Sequence, residues 1–276
     1  MPAKVEKVVH GDDLLYRFFQ SLFDDRADLA PAVLSRMYST MGIWFPLELY
    51  YHFPILLPWV VRDPSCRGNK KKGLPEEWGS PDREGYLRDD NSLVKALTRS
   101  LVIDGTGMPH LHGARMGTEF VASHVWRLVH HEKLASRHPL LNSFVPNLVW
   151  LPSQVSKLTD REGAVMQRAL QGLAWTIFRN APVEPHLREV VEEAWKLVPE
   201  PAEPVADLPP LNTFVISEQY LLTRRARLRT VISALDLIEQ GQPLTPGLVT
   251  SRYAEGLPQV GTTERSALKT FLRRFD

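Results

Sequence analysis

The chain has one cysteine, Cys66, among its 276 residues. This excludes an intrachain disulfide and any multi-cysteine zinc site, and it suits a reducing cytoplasm. It has almost no net charge, +1 with 24% charged residues, so attraction to nucleic acid has to come from local patches. No phosphate-binding glycine loop, nucleophile elbow or HExxH string is present, and GTG at Gly105 to Gly107 is too short to count as one. Internal repeats and long heptad arrays are also missing. The opening MPAKVEKVVHGDD contains no apolar core of signal-peptide length. The longest apolar run, Ile43 to Val61, approaches spanning length but is broken by Pro46, Pro54 and Pro58 and contains Glu48 and His52. It reads as a kinked, aromatic-rich core segment with no membrane role.

What is present is a soluble globular profile, 43% apolar, long enough for one large domain or two ordinary ones. Apolar periodicity predicts helices from Asp12 or Asp13 to about Arg26, from Pro31 to Thr40, from Ser92 to about Leu101, from Val165 to Phe178 and from Pro185 to Leu197. The stretch PEPAEPVADLPP, Pro199 to Pro210, reads as a stiff proline-rich linker. It separates a main domain, residues 1–198, from a helical C-terminal region, residues 211–276. The main helix of that region, about Ser217 to Gln240, carries Arg224, Arg225, Arg227 and Arg229.

The stretch richest in functional signals is Glu119 to Gly163. Glu119 to Trp126 and Asn147 to Leu151 are β-branched and apolar, as strands are. His124 ends the first, Asn147 opens the second, and Pro152 stands where a first helical turn tolerates it. Six of the nine histidines (His110, His112, His124, His130, His131 and His138) fall within or near this segment. His110 and His112 would share a side if extended, which is one way to hold a metal; a glycine-rich loop with exposed histidines is the plainer reading.

This order, with SHVW and PNLVWLPSQVSKLTDREG, resembles the ββα-metal finger of HNH endonucleases. The resemblance covers about 45 residues. It implies an α+β fold, mostly helical, with a small finger embedded mid-chain. It implies that His124 deprotonates the attacking water and that Asn147 ties the long loop to the strand. It also implies a divalent cation, Mg²⁺ or Mn²⁺, at the phosphate. The usual ligand positions are occupied by Ser123 and Ser156, and serine is a poor ligand for these ions. Besides Ser156, Glu119 and Asp160 are the candidate metal ligands; Gln154 and Glu162 lie within reach in sequence.

The resemblance further implies a restriction-type endonuclease on double-stranded DNA, acting as a homodimer so that two sites reach two strands. Candidate DNA contacts are Lys70, Lys71 and Lys72 in a loop, Arg127, His130, His131, Lys157 and Arg161 around the finger, and Arg224, Arg225, Arg227 and Arg229. The lysine loop and the arginine helix also read as solvated surface. Two alternatives stand beside this one. The serines fit a finger that binds DNA without cutting it. Asp82, Asp89, Asp90 and Lys95 fit the start of a PD-(D/E)xK nuclease core, although a helix is expected where that core needs a strand.

Overall fold

The computed structural model describes residues 11–24, 29–66, 81–129, 133–202, 205, 207–244 and 256–276. Helices α1 (Gly11–Asp24) and α2 (Ala30–Met41) come first, with a proline in the opening turn of α2, where its missing N–H has no helical partner to lose. The aromatic run then folds as three short elements, because its prolines forbid one long one. These are β1 (Ile43–Trp44), α3 (Leu47–His52) and β2 (Val60–Arg62). Trp44, Phe45, Leu49, Tyr50, Phe53, Ile55 and Leu56 are buried, so the segment is core as expected. No helix among the described residues is long and apolar enough to cross a membrane.

After β3 (Leu87–Asp89) comes α4 (Ser92–Ala96), shorter than the periodicity predicts. Asn91 stands at the N-cap position without a side-chain cap bond, and the Asp89 carboxylate serves the first turn, accepting the Leu93 N–H at 3.0 Å and the Ser92 hydroxyl at 2.5 Å. Beyond residue 96 the backbone is drawn away: Val102 bridges Arg115 and Ile103 bridges Phe214. Tertiary pairing here overrides local helical preference.

Next come β4 (Phe120–His124) and β5 (Leu148–Pro152), then a four-residue helix, α5 (Ser153–Ser156). The chain continues through a 3-10 turn (Lys157–Asp160) into α6 (Val165–Phe178) and α7 (Arg188–Leu197). The last elements are β6 (Asn212–Thr213), α8 (Glu218–Glu239) and α9 (Thr262–Leu272). Ser217 caps α8 through a 3.2 Å bond from the Tyr220 N–H.

The larger sheet has the order β4-β5-β1-β6, with β4/β5 and β5/β1 antiparallel and β1/β6 parallel. β2 and β3 form a separate parallel pair. Trp150 packs edge-on against Phe45 and Phe214, with ring centres 4.9 and 5.3 Å apart. The fold is therefore α+β and mostly helical.

The boundary expected at residue 211 is not a break in the core. Asn212 is fully buried on the sheet edge; its side chain donates to Thr40 O at 2.7 Å and accepts from Met108 N at 2.8 Å. The proline-rich stretch thus carries the chain back into the sheet, and the hydrophobic core runs from Phe23 to Phe275.

Candidate functional site

His124 sits at the end of β4, opposite Leu148 in the antiparallel register. Its Nε2 lies 3.0 Å from the main-chain oxygen of Asn142. A carbonyl can only accept, so Nε2 carries the proton and Nδ1 of the neutral ring keeps a lone pair. Burial depresses the ring pKa from 6.5 to about 4, and the nearby Arg62 charge adds to the effect, while the bond to Asn142 opposes it. At neutral pH the ring is therefore an unprotonated base held in one tautomer.

The loop that holds His124 is itself held by Asn147. This residue is fully buried in the short turn before β5. Its Oδ1 accepts the Trp126 N–H at 2.7 Å and its Nδ2 donates to the Leu141 oxygen at 3.0 Å. Its own carbonyl accepts the Val125 N–H at 3.0 Å. One side chain therefore joins the residues just after His124 to the carbonyl next to the one that pins its ring.

The expected metal ligands do not converge. Glu119 stands at the opposite end of the hairpin, since Phe120 pairs with Pro152 and His124 with Leu148. Five residues of strand at ~3.3 Å each place it roughly 16 Å along the strand from His124. Its φ of +65° also breaks the alternation that would put it on the same side as Ser123. There its carboxylate accepts the Ser153 hydroxyl at 2.9 Å. Ser156 is buried and donates its hydroxyl to Ser153 O at 3.0 Å. Glu162 accepts from Gln167 Nε2 at 3.1 Å. No group of three or more metal-binding side chains occurs among the described residues.

Asp160 is the candidate ligand that does reach the His124 end. The turn after α5 brings it back there, and Arg127, three residues beyond His124, donates to its main-chain oxygen. The residue reaches solvent, yet partial burial of the carboxyl raises its pKa, against the pull of Arg127, Arg62 and Lys157. The helical arm itself is one turn, α5, continued as a 3-10 turn, so it is shorter than a full finger helix.

Arg62 is the residue that sequence reasoning missed. It ends β2, far from the 119–163 segment in sequence, and its charge acts on both His124 and Asp160. Its Nε faces the Asp90 carboxylate at 3.4 Å. Nothing local marks it: an arginine after an apolar run reads as the point where a buried segment meets solvent. Arg127, Lys157 and Arg161 are exposed.

The arginine helix behaves differently from the expected DNA-contacting face. Arg224 is 6% exposed and donates to the Leu56 carbonyl in the core. Arg225 donates to Glu184 at 2.7 Å, a carboxylate it shares with His52, and Arg229 pairs with Asp276 at 2.5 Å. Arg227 is exposed. Lys70, Lys71, Lys72, His130 and His131 lie outside the described residues. His110 lies within a 3-10 turn (Pro109–Leu111) and His112 follows it, so the two are not in one extended segment; His112 Nδ1 bonds Asp104 O at 2.7 Å. In the alternative core, Asp82 closes a turn by accepting the N–H groups of Glu84 and Tyr86, each at 2.9 Å. Asp89 serves the first turn of α4, Asp90 faces Arg62, and Lys95 is exposed on α4.

No family model, curated protein or solved structure matches this chain.

Proposed function

We propose that the chain is a DNA endonuclease of HNH type, hydrolysing phosphodiester bonds with His124 as general base. The observation that carries this reading is the linked pair at the end of β4. The imidazole has its proton fixed on Asn142 and its lone pair at Nδ1, and Asn147 holds the loop that does the fixing. Burial keeps the ring neutral at working pH and the Asn142 bond holds it in one orientation, which supports a base role, although a pKa of about 4 makes it a weaker base than a free imidazole.

In the step, a water oxygen attacks phosphorus while its proton passes to Nδ1 of His124. The P–O3′ bond breaks with its electron pair on O3′, which takes a proton from solvent water. Arg127 and Lys157, on the exposed side of the site, attract the DNA backbone. A homodimer on double-stranded DNA would bring one such site to each strand.

The resemblance adds a Mg²⁺ or Mn²⁺ ion, and the donors do not fit a resident ion. Around Arg62, Arg127 and Lys157 the carboxylates are Asp160 and Asp90, the latter already facing Arg62 at 3.4 Å, and the Ser156 hydroxyl is buried and bonded to Ser153 O. No step here is routed through a metal.

The test is incubation of the purified protein with plasmid DNA, beside His124→Ala. Discrete fragments that disappear in the variant support the reading; cleavage that survives the substitution places the chemistry elsewhere. The serines at positions 123 and 156 favour a second reading, a DNA-binding module without cleavage. It predicts DNA retarded on a gel but never cut.

A further inference from the structure

The misfit of the donor set has a positive side: the site is built for an anion. Arg62, Arg127 and Lys157 come from three separate elements, β2, the loop after β4 and the turn after α5. Arg127 donates to the main-chain oxygen of Asp160, and Lys157 opens the 3-10 turn that Asp160 ends. The charges of all three bear on the Asp160 carboxyl, that of Arg62 on His124 as well. Arg62 is the best placed of the three. Its Nε faces Asp90 at 3.4 Å, which orients the guanidinium, while Nη1 and Nη2 have no partner among the described residues. Its side chain is 33% exposed, so a ligand at the surface reaches it. A guanidinium with its Nε side engaged and its outer nitrogens open suits a phosphate, which takes two parallel N–H bonds.

We propose that Arg62, supported by Arg127 and Lys157, binds the scissile phosphodiester beside His124 and supplies the transition-state charge stabilisation that a divalent cation supplies in metal-dependent nucleases. This rests on the reading of the site as a nuclease only for the word scissile; the phosphate site itself stands on the geometry of Arg62. In the step, the two non-bridging oxygens gain negative charge as water adds to phosphorus. Fixed N–H donors aimed at those oxygens stabilise that charge without reorganising. No electrons or protons are exchanged with Arg62, which remains a cation throughout.

The test follows the His124 ring resonances by NMR while a short DNA duplex, and separately inorganic phosphate, is titrated in excess chelator. Both ligands are expected to shift the ring signals saturably. Arg62→Gln, which keeps length and polarity, is expected to weaken the duplex response by about ten-fold, and Arg62→Lys less. Asp90→Asn, which removes the orienting charge, is expected to weaken it to an intermediate degree. Melting curves on each variant separate loss of binding from loss of fold. A ring that does not respond in chelator, or one that responds equally in Arg62→Gln, overturns the phosphate site. Plasmid cleavage abolished by chelator and restored by Mg²⁺ overturns the replacement of the cation, even with the phosphate site intact. Absence of all cleavage with a normal phosphate response sinks the nuclease reading and leaves the Arg62 site standing.

Discussion

Helix α8 and the end of strand β4 both carry arginines that mark them as basic, yet they differ in what those charges touch. On α8, Arg224 is buried against the Leu56 carbonyl, Arg225 is paired with Glu184 and Arg229 with Asp276. At the β4 end, Arg127 and Lys157 are exposed and Arg62 keeps two nitrogens open. A cluster of basic residues in sequence is a statement about composition; free positive charge is what remains after the fold has paired it. By that measure Arg224 and Arg225 offer less to a ligand than Arg127 and Lys157 do. The same contrast separates the two carboxylates expected at a metal. Glu119 is held by Ser153 at the far end of the hairpin, and the turn after α5 brings Asp160 to Arg127, three residues beyond His124.

The contrast can be broken most forcefully at Asn147. Asn147→Ala strands the Trp126 N–H and the Leu141 carbonyl in the core. At about 1–3 kcal/mol for each orphaned group, the expected loss is roughly 4 kcal/mol in denaturant unfolding. A loss below about 1 kcal/mol would show that the loop is held by something else.

Protonation of His124 is next. Its folded pKa, about 4, lies below the unfolded value near 6.5, so the unfolded chain binds more protons in that window. The contribution to stability is therefore constant above pH 6.5 and declines as pH falls towards 4, by roughly 3 kcal/mol in all. His124→Gln should flatten this part of the stability profile. The same shift places the acid limb of kcat/KM near pH 4, whereas a free imidazole would place it near 6.5. An activity limb at 6.5 in the wild type would refute the depressed ring.

The two arginine groups then respond in opposite ways. Arg224→Ala should cost about 1–3 kcal/mol of stability, because a buried charge-assisted bond is lost. It should leave the salt dependence of DNA binding unaltered. Arg127→Ala and Lys157→Ala should each change stability by less than about 0.5 kcal/mol and lower the salt slope by about one. If Arg224→Ala changes the slope and Lys157→Ala does not, the comparison is inverted. The smallest effect is expected at Glu119. Glu119→Gln, far from His124, should leave cleavage and duplex affinity within experimental error; a large loss would return it to the site.

Much of the molecule was legible in short-range pattern. The strands ending at His124 and beginning after Asn147, the helices over Val165–Phe178 and Glu218–Glu239, and the proline-broken aromatic segment all follow from periodicity and turn chemistry. The helix expected to Leu101 stopped at Ala96 because Val102 and Ile103 are claimed by distant partners. Around residue 211 the chain also answers to a distant partner, since β6 pairs with β1, the strand that begins at Ile43.

By itself the sequence determined the local periods: which stretches alternate, which turn every three or four residues, where proline and asparagine interrupt them, and that a histidine and an asparagine stand one long loop apart. These are properties of neighbouring residues, and the steric and hydrogen-bond rules that govern them act over a few residues. Tertiary structure alone decided that the Arg62 charge bears on His124, that Glu119 stands at the far end of the hairpin, that the Asn142 carbonyl selects the ring tautomer, and that Arg224 is core. Each of these depends on which distant segments close against one another, and loop closure and core packing set that over the whole chain.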